Sequence, residues 1–199
     1  LMKRHAADAH PVDLVSLLRA MKSYEQAYET EFSVEHDDFK LVGQDNIRRY
    51  LPVPFLRVRV HPDDSAFEIF ARVCAAVIVG CRTTVSVPPD QAGPMVVLLD
   101  QLTEAWGATV EFVEETDAEL AELVAQGGTH RVRYAAPERA SAEVLAVRRQ
   151  LARLVRGGLG EDDALQVVFD DIAAEAQQIE ERLEVLCFAH VHQVQRHDV

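Results

Sequence analysis

Hydrophobic and polar positions along the chain divide it into short units. Leu14, Leu17, Leu18, Met21, Tyr24 and Tyr28 recur at helical spacing, predicting an amphipathic helix from about Pro11 to Glu31. Pro11 suits a first helical turn, where its missing N–H is not needed. A polar connector follows over Ser33–Asp45. It contains His36-Asp37-Asp38, which reads as a loop rather than a site.

Beyond Asn46 the period changes. Phe55–Val60 predicts a strand, broken by His61-Pro62-Asp63-Asp64. Ser65-Ala66-Phe67-Glu68 is a capping box that opens a helix to about Val79. Gly80 stands where a helix end favours a left-handed residue. Thr83–Val87 predicts a second strand, stopped by Pro88-Pro89, and Gln91–Trp106 a second helix. Ala108–Val113 is a third strand. Thr116-Asp117-Ala118-Glu119 is another capping box, for a helix to about Gln126, and Arg131–Tyr134 a fourth strand.

Residues 55–134 therefore read β-α-β-α-β-α-β. Strands joined by single helices must pair in parallel, with right-handed crossovers. The expected fold is α/β: a Rossmann-like, doubly wound parallel sheet with helices on both faces. An N-terminal helix precedes it and a C-terminal helical hairpin follows.

The hairpin's arms are read as Ser141–Arg156 and a long helix over Glu161–Leu186. In the second, Leu165, Phe169, Ile172, Ala176, Ile179, Leu183 and Leu186 alternate steps of four and three. Such a stripe packs on its own domain or pairs with another chain. The expected division is 1–45 for the helix and connector, 46–138 for the Rossmann-like domain and 139–199 for the helical appendage.

Composition narrows the function classes. The 199 residues are 48% hydrophobic and 27% charged, an ordinary globular balance. The apolar run Val73–Val79 is too short to span a membrane, so no membrane span and a cytoplasmic location are expected. A net charge of −13 argues against nucleic acid as a partner. Cys74, Cys81 and Cys187 lack metal-type spacing, so no metal is expected. Cys74 reads as core, and Cys81, just past a helix end, as partly exposed. His190, His192 and His197 read as a frayed polar tail rather than metal ligands.

In a doubly wound sheet, ligands bind at the carboxyl ends of the strands. The turns there are His61–Ser65, Ser86–Gln91, Glu114–Asp117 and Ala135–Glu138. None carries a Gly-x-Gly-x-x-Gly run or a phosphate loop. They hold Asp63, Asp64, Asp90, Glu114, Glu115 and Asp117, read as solvated turn charges that repel a pyrophosphate.

Several segments are similar to the nucleotide-binding region of aldehyde dehydrogenases. Asn46–Pro52 resembles the approach segment, Gly80–Asp90 the second strand and turn, and His130–Tyr134 the approach to the Gly-Ser-Thr turn. Phe32–Asp38 and Leu41–Tyr50 resemble the C-terminal part of proline utilization A enzymes. Those fuse proline dehydrogenase to L-glutamate γ-semialdehyde (pyrroline-5-carboxylate) dehydrogenase. Some carry an extra C-terminal domain that keeps the fold without the chemistry. The likeness spans roughly residues 10–147; from about Val147 the chain departs from it.

The family's catalytic parts are absent. Its nucleotide-binding Lys falls at or beside Ser86. His61-Pro62-Asp63-Asp64 replaces its Trp-Asn turn, and Ala135-Ala136-Pro137 replaces Gly-Ser-Thr. Neither a Glu-Leu-Gly-Gly general-base motif nor a Gly-Gln-x-Cys nucleophile motif occurs. The resemblance thus implies a non-catalytic module with a vestigial cofactor pocket at Ser86 and Pro88. No cofactor is expected, or NAD if the pocket survives. The expected partners are dehydrogenase domains of the same enzyme, or a second copy. Two alternatives stand beside it: a fragment of an NAD-dependent L-glutamate γ-semialdehyde dehydrogenase, and a free-standing interaction protein pairing through its C-terminal helix.

Overall fold

The computed structural model describes residues 11–37, 40, 42, 44–156, 166–169 and 189–197. Helix α1 (Pro11–Ala27) ends in a wider π-helical turn, Tyr28–Phe32. Strands β1 (His36–Asp37) and β2 (Gln44–Pro52) follow. Then come β3 (Leu56–Arg59), α2 (Ala66–Ile78), β4 (Thr83–Val87) and α3 (Pro94–Thr103). The chain continues through β5 (Val110–Glu114), α4 (Asp117–Ala125), β6 (Arg131–Tyr134) and α5 (Ala142–Arg156). The last described elements are β7 (Gln166–Phe169) and β8 (Ala189–His197).

Five strands form one parallel sheet in the order β5-β4-β3-β6-β7. The chain winds outward from β3 on one side, then crosses back to β6 and β7. This is the doubly wound arrangement that the alternating pattern predicts.

The register separates two cores. Leu56 pairs with Arg131, so Leu56 and Val58 face away from Val132 and Tyr134. Leu56, Val58, Val85 and Val110 join Ala20, Tyr24, Val73, Ala76, Val96 and Leu99 of α1, α2 and α3 in one cluster. Val132 and Tyr134 pack with Leu120, Ala121 and Val124 of α4 and Val144 of α5 in the other. Helices thus cover both faces, as expected.

Both capping boxes form. Ser65 accepts the Glu68 N–H while the Glu68 carboxylate takes the Ser65 N–H, and Thr116 and Glu119 do the same for α4. Gly80 has φ +80°, a conformation that an L side chain strains to adopt, so the α2–β4 turn rests on this glycine.

Four expectations are corrected. Gln166–Phe169 is a strand paired in parallel with β6, not part of a long helix. The rest of Glu161–Leu186 lies outside the described residues. The three histidines belong to β8, not to a frayed tail: β8 pairs antiparallel with β2 over its whole length, from Gln44–His197 to Pro52–Ala189. Backbone pairing ties that segment down where local sequence shows only polarity. His36–Asp37 likewise pairs with β2, at Arg48 and Ile47, rather than forming a loop; Asp38 lies outside the described residues. Together β1, β2 and β8 form a small antiparallel sheet.

Cys81 is a fourth correction, and it concerns burial. It is fully buried, because the tight turn after α2 carries it under the sheet, where its N–H donates to the Ala76 carbonyl at 2.9 Å. Cys74 is buried as expected. Among the described residues no helix is long and apolar enough to cross a membrane, and no cluster of potential metal ligands occurs.

Candidate functional site

The winding direction reverses between β3 and β6, so the crevice for a ligand lies where their carboxyl ends diverge. The expected turns all gather at this end of the sheet. The chain fills it with arginines and carboxylates of its own.

Arg59, the last residue of β3, is buried. Its Nη1 donates to Ser86 Oγ at 2.8 Å and to the Glu115 carbonyl at 2.9 Å. Its Nη2 donates to Asp117 Oδ1 at 2.7 Å. The guanidinium therefore lies across the ends of β4 and β5 and binds the first residue of α4. Two positions earlier on the same face, Arg57 holds Glu115 with both nitrogens, at 3.0 and 3.3 Å.

A second cluster sits between α2 and the turn after β6. The Asp64 side chain is 0% exposed and accepts from Arg72 Nη2 and, at 2.7 Å, from Arg139 Nη1. Arg139 Nη1 also donates to Glu68 Oε1 at 2.9 Å. Arg72 Nε donates to its own helix at the Glu68 carbonyl (2.7 Å), and its Nη1 to the Arg59 carbonyl (3.0 Å). The two clusters thus meet at Arg59. Burial raises the pKa of Glu68, but bonds from Ser65 and Arg139 outweigh it and leave the carboxyl below its ordinary value. Burial pushes the Tyr134 phenol up to about 12, so it stays neutral.

These contacts revise the reading of the turns. Asp64 and Glu115 are buried ion-pair partners rather than solvated charges, because arginines on β3 and α2 need anions there. Asp63, Asp90 and Glu114 are exposed. Ser86 is fully buried with its hydroxyl held by Arg59, and Pro88 is half-buried just beyond β4. The structure brings Ser86 against Arg59 rather than opening it to a ligand.

The residues do not fit a dinucleotide well. A pyrophosphate binds free N–H groups at a helix N-terminus. Here the Ser65 N–H already donates to Glu68 Oε2 at 2.6 Å, and the Thr116 N–H to Glu119 Oε2 at 2.7 Å. Two of the helix starts facing the crevice thus carry their own carboxylates.

The arginines of this site are the residues that sequence reasoning passed over. Leu56-Arg57-Val58-Arg59-Val60 contained the sign of them. A strand central to a doubly covered sheet cannot leave an alternating guanidinium unpaired, so carboxylates had to converge on it.

No protein-family model matches the sequence, and no curated protein matches it. Solved structures do resemble it in fold. A Burkholderia cenocepacia protein assigned as an aldehyde dehydrogenase matches with TM-score 0.57 at 18% identity, covering 79% of this chain and 31% of that one. Proline utilization A of Bradyrhizobium japonicum matches with TM-score 0.56 at 15% identity, over 79% of this chain and 15% of that one. The NAD+ complex of a Bacillus cereus aldehyde dehydrogenase matches with TM-score 0.56 at 14% identity, over 79% and 30%. The chain spans less than a third of each of these structures. The likeness is one of fold: an α/β sheet of aldehyde-dehydrogenase type whose crevice is filled by the chain's own ion pairs.

Proposed function

We propose that this chain is a non-catalytic, aldehyde-dehydrogenase-like module of a cytoplasmic proline-catabolic enzyme converting proline to glutamate. It packs against the active dehydrogenase domains, or against a second copy, as a lid or an assembly element. The observation that carries this reading is the Arg59 bridge. It takes up Ser86, where the resemblance places the cofactor lysine, and lies over the strand ends that a nucleotide would need. The wording of Phe32–Tyr50 and the fold likeness to proline utilization A support the placement in proline oxidation. A reactive semialdehyde intermediate gives a lid its use, since closing a site limits escape and hydrolysis.

Titration with NAD, followed by thermal stability, tests the reading. A ligand at about 100 times its dissociation constant stabilises a fold by about 2.7 kcal/mol. The expected result is no shift at millimolar NAD. A clear rise would overturn the vestigial pocket and favour a fragment of an NAD-dependent L-glutamate γ-semialdehyde dehydrogenase.

A further inference from the structure

We draw no further inference here: the strongest candidate, the exposed surface patch of Phe55, Arg82 and His130 at the amino end of the parallel sheet, carries nothing because nothing in the structure shows what covers it.

Discussion

The Nη2 of Arg59 lies 2.7 Å from Asp117 Oδ1, which joins the end of the central strand to the first residue of α4, with β4 lying between β3 and the strand β5 that leads into that helix. The partners are unequally placed: the Arg59 side chain is 3% exposed and that of Asp117 46%. Removing the buried partner strands Ser86, the Glu115 carbonyl and Asp117 together. Arg59→Ala is expected to lower unfolding free energy by about 3 kcal/mol, and Asp117→Asn by less than about 1 kcal/mol. Urea denaturation of the two variants checks this; equal losses would mean that the ion pair alone carries the bridge.

Asp64 presents the reverse case, a fully buried anion between two cations. Asp64→Asn leaves Arg72, itself 1% exposed, without its counter-charge. The loss should be about 3–5 kcal/mol, the range for breaking a buried pair by removing one partner. Arg139→Met, at a side chain 21% exposed, should cost clearly less. The urea midpoints should fall in that order.

Glu68 gives the acid limb of the stability profile a known sign. Its folded carboxyl titrates below the ordinary 4.5, so the folded state binds fewer protons than the unfolded state in that range. Its contribution is complete above about pH 4.5 and is lost as pH falls through the folded value. Glu68→Gln should be less stable near neutrality and flatter below pH 4.5 than wild type, read by melting temperature against pH. An unchanged acid limb would remove Glu68 from the account.

Burial pushes the thiols of Cys74 and Cys81 up to about 11, from an ordinary 9.0. At pH 8 the thiolate fraction falls by about a hundredfold, before access is considered. In a Cys187→Ser background, alkylation should be slow in the folded chain and fast in urea. Rapid modification of either thiol without denaturant would contradict its placement.

The parallel sheet was legible because each of its first four strands is punctuated. Ser65 and Thr116 open helices with Glu three residues on, Gly80 closes one, and Pro88 stops a strand. These are local devices, readable without knowing the partner. Strand β7 was not legible in this way. Gln166-Val167-Val168-Phe169 has a strand's composition, but Leu165, Phe169 and Ile172 also satisfy a helical stripe, and only pairing with β6 decides between them. In β8, polar residues mask a strand held by backbone bonds to a distant segment. The ion-pair site was half legible: the acidic turns were found, but the arginines that claim them lie on β3, α2 and the turn after β6. Their convergence is a property of the winding, not of any window of sequence.

The pairing of β2 with β8 also bears on how the molecule is made. Every parallel strand pair from β3 to β6 is available once Tyr134 has been synthesised, but β2 has no long partner until residues 189–197 have left the ribosome. Over that interval β2 offers a bare strand edge of nine residues, because β1 pairs with its other edge, at Ile47 and Arg48. An unpaired edge is a template for pairing with any other extended chain. Arrival of residues 189–197 is thus the step that closes the edge, and a nascent chain halted before residue 189 carries an aggregation hazard at Gln44–Pro52.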